Sequence, residues 1–388
     1  MIPATPDILA RLVAEPTVSR TSNLALLDYV EGLLRPAGAR IERFSHPDGS
    51  RANLWATIGP EGPGGVVLSG HTDVVPAEGQ DWSTDPFRLA ERDGRLYGRG
   101  TADMKGFVAA ALRAALVAAT RPLKAPLHLA LSYDEEIGCL GVRGMIEALA
   151  KRPAGPALCI VGEPTGLRIA SGHKGKLALK ACCRGEAGHS ALAPKALNAL
   201  HLGAAFITTL QARQDMLAAR GARDPDYDIP YSTIHAGLMH GGTALNVVPS
   251  LCEIDFEIRN IAGDDPGRIL ADIRGDAEAI VAPHRGRFPM ACIEIEPVSG
   301  YPGLDTPSDA PAIRLLRRIL ATDEPTVKVA FGTEGGLFHQ DLGLSTAVCG
   351  PGFMEQGHKA DEFVSIEQLD RCDAMLARLV AELERGPA

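Results

Sequence analysis

Gly65-Val66-Val67-Leu68-Ser69-Gly70-His71 is a short apolar run that ends on a histidine, and two later runs repeat the design. Leu127-His128-Leu129-Ala130-Leu131-Ser132 leads into Asp134-Glu135-Glu136. Ala157-Leu158-Cys159-Ile160-Val161 leads into Gly162-Glu163. Apolar runs of this length, bounded by polar or turn residues, read as buried strands. A helix candidate, 104–119, separates the first two, and another, 139–151, separates the second pair. Strand–helix alternation of this kind predicts an α/β fold with a mostly parallel sheet flanked by helices. In such sheets the ligand site lies beyond the carboxyl ends of the strands, where all three runs place ionisable residues.

The texture changes after Gly175. Residues 176–183 read as an extended segment, and 196–210 carry helical apolar spacing. Residues 231–239 and 251–259 then read as strands. The latter alternates Cys252, Ile254, Phe256 and Ile258 against Glu253, Asp255, Glu257 and Arg259. A helix at 265–281 and a strand at 290–297 complete a small α+β unit with an antiparallel sheet. The α/β texture resumes after Tyr301-Pro302-Gly303. The expected organisation is a first domain of 1–175 and 299–388 interrupted by an inserted domain of 176–298. The Asp- and Pro-rich stretch 222–231 reads as a surface loop, and there is no internal repeat or low-complexity tract.

Composition bounds the function. A chain of 388 residues exceeds one ordinary domain core. With 45% hydrophobic and 22% charged residues it is neither disordered nor fibrous. The formal charge of −9 gives no global attraction for nucleic acid or an anionic membrane. The longest apolar stretch, 107–119, is interrupted by Arg113 and is too short to span a bilayer. Residues 1–19 lack a charged start, an apolar run and a small-residue cleavage site, so the expectation is a cytoplasmic protein. The eight cysteines form no C-x-x-C pair and most lie in apolar runs, which predicts buried free thiols.

The chemistry concentrates in five segments: Ser69-Gly70-His71-Thr72-Asp73, Gly100-Thr101-Ala102-Asp103, Asp134-Glu135-Glu136, Gly162-Glu163 and Gly357-His358. Carboxylates converging at one sheet edge repel one another and rise in pKa unless cations sit among them. Histidines with carboxylates form a hard-to-borderline N/O donor set suited to zinc, cobalt or manganese. A phosphate cradle at Gly98-Arg99-Gly100 lacks the third glycine of a dinucleotide fingerprint. Ser69 or Cys139 as a nucleophile lacks a separate His–carboxylate support.

These motifs resemble the M20 metallopeptidases, a family of co-catalytic dizinc amidohydrolases. SGHTDVVP at 69–76, LYGRGTADMKG at 96–106, DEEIG at 134–138, VGEPT at 161–165, GHS at 188–190 and GH at 357–358 occur in the family's order. The resemblance implies a catalytic metal-binding domain with an inserted lid and dimerisation domain. It also implies two divalent metal ions, zinc first and cobalt second. His71, Asp103 and Glu163 would hold one ion, and Asp103, Glu136 and His358 the other. Glu135 would be the general base, and Asp73 would hold the other N–H of the His71 imidazole and fix its tautomer. The resemblance further implies a cis Asp103–Met104 peptide bond. His189 would stabilise the oxyanion from the partner subunit of a homodimer, against the alternative of a surface histidine before a Ser190 helix cap.

Within the family, HKG at 173–175, the run 229–249 and GTEGG at 332–336 are most similar to acetylornithine deacetylases. The implied reaction is removal of the acetyl group from N2-acetyl-L-ornithine, a step of arginine biosynthesis. Arg259 is the first candidate for the substrate α-carboxylate, supported by Asn246 and Lys174. The alternative for Arg259 is a strand residue pairing with Glu257 or Asp255. Glu334, beside Thr333, would read the cationic side chain of ornithine. Other M20 deacylases, a succinyl-diaminopimelate desuccinylase, a dipeptidase and a non-catalytic ligand-binding relative remain alternatives.

Overall fold

The computed structural model describes residues 2–153 and 155–386. The chain forms two compact units. The first takes in the chain up to His173, Leu304–Lys328 and the chain from Thr333 onward, and the second Lys174–Gly303 with Val329–Gly332. The second unit therefore extends past the expected boundary at 298. The strand Cys292–Tyr301 stays paired with Gly175–Arg184 as far as Tyr301 opposite Lys176. The short return Val329–Gly332 has no counterpart in the sequence reading.

The first unit is a nine-stranded mixed sheet flanked by helices. Its centre is four parallel strands: Leu127–Ser132, Val66–His71, Leu158–Pro164 and Ser345–Gly350, in that spatial order. Antiparallel strands Ala52–Ile58 and Arg40–Ser45 extend one side, and Ala170–His173 and Leu304–Asp305 the other. The three strands read from sequence are buried along their whole lengths, as unbroken apolar runs require when helices cover both faces.

The Ala-rich helix Lys105–Ala118 is buried on nearly every side. It lies so close to the sheet that a Cβ on Gly162 would meet the Phe107 ring at 1.9 Å. The helix expected at 139–151 is shorter, Val142–Ala150. Cys139 adopts a positive φ of 53°, which a continuing helix does not permit.

In the second unit an antiparallel sheet runs Thr233–Gly241, Leu251–Asn260, Gly175–Arg184, Cys292–Tyr301. Helices Ala199–Arg220 and Pro266–Val281 pack their apolar faces against it in a separate core. The first helix runs ten residues beyond the expected end at Leu210. Its fully buried positions stop at Leu210, and beyond it only the partly buried Leu217 packs on the core. Each helix starts at a side-chain cap, Asn198 accepting from the Leu200 N–H and Asp265 from the Gly267 N–H.

Candidate active site

Three neighbouring parallel strands deliver three of the ionisable groups to one edge. His71 pairs with Ser132 across the sheet, three residues before Glu135. Ser69 pairs with Val161, and two residues further along these strands stand His71 and Glu163. Asp103 comes from the loop before helix Lys105–Ala118, next to a cis Asp103–Met104 peptide bond. His358 comes from a loop after the short 3-10 helix Met354–Gln356, and is half exposed.

Asp103 stands between the two histidines. Its Oδ1 is 3.0 Å from His71 Nε2, and its Oδ2 is 3.1 Å from His358 Nε2. Glu163 Oε1 is 3.8 Å from His71 Nε2, and Glu136 Oε2 is 3.1 Å from His358 Nε2. A carboxylate oxygen of Glu135 falls within 4.8 Å of an imidazole nitrogen of His71 and a carboxylate oxygen of Glu163. Distance alone therefore does not separate Glu135 from the other acids.

The donor set suits divalent cations on two grounds. First, His71 Nδ1 donates to the backbone carbonyl of Asp73 at 2.8 Å. A neutral imidazole with that tautomer points its Nε2 lone pair at two carboxylates, so a proton or a cation must lie between them. Secondly, the acids cannot all ionise unaided. Burial, reinforced by neighbouring negative charges, lifts Glu135 and Glu163 well above the carboxylate range. Burial and the charge of Asp103 push Glu136 up to about 7. Burial also works to raise Asp103, but the hydrogen bonds to His358 and His71 outweigh it and hold it low. The bonds of His358 to Asp103 and to Glu136 push it up to about 10. Protons thus do the neutralising that dications accomplish in an N/O site.

Asp73 meets the imidazole through its backbone carbonyl, while its Oδ1 is 3.8 Å from His71 Nδ1. The carboxylate instead accepts the N–H of Glu135 at 3.0 Å, the N–H of Glu136 at 3.4 Å and the Ser19 hydroxyl at 2.7 Å. Asp73 therefore anchors the turn that carries both glutamates. Sequence reasoning also missed Cys139 as a partner of Glu135, to which it donates a hydrogen bond at 3.2 Å. The only signal was its place four residues after Glu135, directly behind the DEEIG motif.

Four candidate substrate residues are tied into the protein itself. Glu334 is 2% exposed, and its Oε2 accepts from the Ser69 hydroxyl at 3.2 Å. Burial pushes it up to about 7. Thr333 is buried and its Oγ1 accepts the Gly335 N–H at 2.9 Å. Lys174 is buried in the second unit, with Nζ 2.7 Å from the Tyr231 carbonyl and over the Tyr227 ring. Arg259 is half-buried and pairs Nε with Glu257 at 2.9 Å and Nη1 with the Tyr301 hydroxyl at 2.8 Å. The strand-pairing alternative thus describes its contacts.

Asn246 and His189 also belong to the second unit. The Asn246 carbonyl accepts the Ser190 N–H, and the exposed His189 accepts the Ala191 N–H on Nδ1 at 3.1 Å. His189 itself, not Ser190, caps the 3-10 helix Ser190–Lys195.

Comparison with known proteins agrees with this geometry. The profile of peptidase family M20/M25/M40 matches residues 67–382. An acetylornithine deacetylase of Myxococcus xanthus is 36% identical over 390 residues, covering 99% of this chain and 99% of that one. One from Proteus mirabilis is 35% identical over 389 residues, covering 98% and 96%. An M20 family metallo-carboxypeptidase from Sulfolobus solfataricus superposes with a TM-score of 0.79 at 18% identity, covering 99% of this chain and 100% of that one. A dinuclear metal binding peptidase of the M20 family from Bacillus subtilis gives 0.68 at 15% identity, covering 98% of each chain.

Proposed function

The chain belongs to peptidase family M20/M25/M40, a family of hydrolases, and from that premise we propose that it deacetylates N2-acetyl-L-ornithine to ornithine and acetate. The observation that carries this reading is the near full-length match to relatives named acetylornithine deacetylase. The convergence of His71, Asp103, Glu135, Glu136, Glu163 and His358 at one sheet edge supports the hydrolytic chemistry. The natural setting of this reaction is cytoplasmic arginine biosynthesis.

Two divalent cations, zinc first and cobalt second, would be held by His71, Asp103 and Glu163 and by Asp103, Glu136 and His358, and would acidify the attacking water and polarise the amide. Glu135 takes the proton from that water and passes it to the departing amine nitrogen. Asp73 fixes Glu135 and Glu136 through their backbone N–H groups and His71 through its carbonyl. Arg259, supported by Asn246 and Lys174, would meet the substrate α-carboxylate in exchange for its bond to Glu257. His189 supplies the donor to the tetrahedral oxyanion.

A homodimer formed through the second unit fits the strand Thr233–Gly241. Among the described residues it pairs only with Leu251–Asn260, and it exposes Leu238 and Met239.

One observation favours a second reading, a broader N-acyl-amino-acid deacylase. Glu334, expected to select a cationic side chain, is buried and bonded to the Ser69 hydroxyl. The test is acetate release by purified protein from acetylornithine and several acetyl-amino acids, before and after chelation and with zinc or cobalt added back. Acetylornithine should be the preferred substrate, and activity should vanish on chelation and return with metal. Chelation-resistant turnover would overturn the reading, and preference for another acyl-amino acid would select the second.

A further inference from the structure

Glu362 lies four residues beyond His358 and is almost wholly buried. It turns its carboxylate towards the loop that carries Asp103. Its Oε1 accepts the N–H groups of Ala102 at 2.9 Å and Asp103 at 3.0 Å. Its Oε2 accepts the Gly100 N–H at 3.0 Å and Arg99 Nη1 at 2.8 Å. Its backbone carbonyl accepts the Gly98 N–H at 2.9 Å. One side chain thereby fastens successive N–H groups of a loop that has no regular structure of its own to satisfy them.

The fastening continues to His358. The buried Arg99 guanidinium donates to the Lys359 carbonyl at 3.3 Å and to Gln80 Oε1 at 2.5 Å, and stacks 5.0 Å from the Trp82 ring centre. Gln80 Nε2 in turn donates to the His358 carbonyl at 3.2 Å. Asp361 accepts both the N–H and the hydroxyl of Ser83. The backbone N–H of Asp103 and the backbone carbonyl of His358 are thus joined through Glu362, Arg99 and Gln80. No such linkage is needed for His71 and Glu163, which the sheet already holds.

We propose that Glu362, with Arg99 and Gln80, is a positioning residue that sets the spacing of Asp103 and His358 and so governs affinity for the second divalent ion. The inference rests on reading Asp103 and His358 as ligands. Its physical basis is that His358 sits on an irregular loop at a positive φ of 60° and is half exposed. Its own backbone does not fix its place as a strand fixes His71. Partners behind the ligands orient them, and their loss weakens metal affinity about 10–100-fold.

Titration of metal-free protein with Co2+, followed by calorimetry and by the visible absorption of the bound ion, tests this. Wild type should take up two equivalents. Fewer than two would refute the ligand reading itself, independently of Glu362.

Glu362→Gln removes the charge facing Arg99 and places an amide N–H2 against N–H donors. It should weaken the second Co2+ about 10–100-fold and the first, which shares Asp103 but keeps the strand-held His71 and Glu163, by clearly less, with an altered absorption band for the second ion. Glu362→Asp should recover part of the loss. Gln80→Ala, which cuts the network at its more exposed end, gives a second route if Glu362→Gln does not fold. It should weaken only the second ion. Wild-type affinity and spectrum for both ions in a folded variant at either position would overturn the proposal.

Discussion

The Sγ of Cys139 lies 3.2 Å from Oε1 of Glu135. The backbone N–H of Cys139 also bonds the Glu135 carbonyl at 2.8 Å, so the turn closes on the glutamate twice. Burial, then the charges of Glu135 and Glu334, push the thiol far up, which keeps it a neutral donor. Cys139→Ser preserves a donor and should keep near-normal kcat. Cys139→Ala loses about 1 kcal/mol of orientation, or roughly a fivefold fall in kcat with little change in KM. Equal kcat for the two variants would remove Cys139 from any role in orienting Glu135.

Glu135→Ala should lower kcat about 10²–10⁴-fold while both metal equivalents remain, by elemental analysis after gel filtration. Because its carboxylate is grouped with the His71 imidazole and the Glu163 carboxylate, metal content is the deciding measurement. Loss of an ion along with activity would make Glu135 a ligand and not the base.

Metal-free protein should lose stability as pH rises. Glu136 titrates near 4.5 unfolded but about 7 folded, so between these values the folded state holds a proton that the unfolded state has released. His358 titrates near 6.5 unfolded and about 10 folded. Its contribution is complete below about 6.5 and is lost as pH climbs through about 10. Both groups act in the same direction. Thermal melts of chelated protein from about pH 5 to about pH 9 should show a falling Tm. Saturating Zn2+ or Co2+ should raise Tm most at the alkaline end. A Tm of chelated protein that rises over this range would contradict the assigned protonation.

Gly162→Ala introduces a Cβ 1.9 Å from Cγ and Cδ1 of Phe107. The ring is locked in the core, so relief requires helix Lys105–Ala118 to move from the strand bearing Glu163. Chemical denaturation should report a loss of about 1–3 kcal/mol or more, with weaker metal binding as the strand shifts. Unchanged stability would show that the helix yields without cost.

Glu334→Gln should reduce kcat/KM for acetylornithine and acetylmethionine alike, their ratio staying within about twofold of wild type. The residue bonds Ser69 inside the wall, so its effect reaches the site through packing. A loss confined to acetylornithine would restore it as the reader of the cationic side chain.

The catalytic fold was legible because its signals are local. The unbroken runs at 66–71, 127–132 and 158–164 are what a doubly covered parallel sheet demands. Their carboxyl ends carry His71, Glu135, Glu136 and Glu163, so chain order alone brought these residues near one another. The hairpin Ala90–Arg92 and Arg95–Tyr97 with Phe363–Ser365 was not legible. Each strand is three residues long and shows no period, and its partner lies at the far end of the chain.

The sequence by itself determined which residues carry the chemistry, because histidine and carboxylate identity sets donor type and charge whatever surrounds them. It also determined the two-part architecture, because apolar periodicity follows from which faces must be buried. Only the tertiary structure decided how each side chain spends its hydrogen bonds. Asp73 offers His71 its carbonyl and keeps its carboxylate for Glu135 and Glu136. Glu334 turns into the wall towards Ser69, and Glu362 holds the Asp103 loop. These choices depend on directions and distances between segments far apart in the chain. A residue's identity fixes what it can bond, and the packing around it fixes what it does bond.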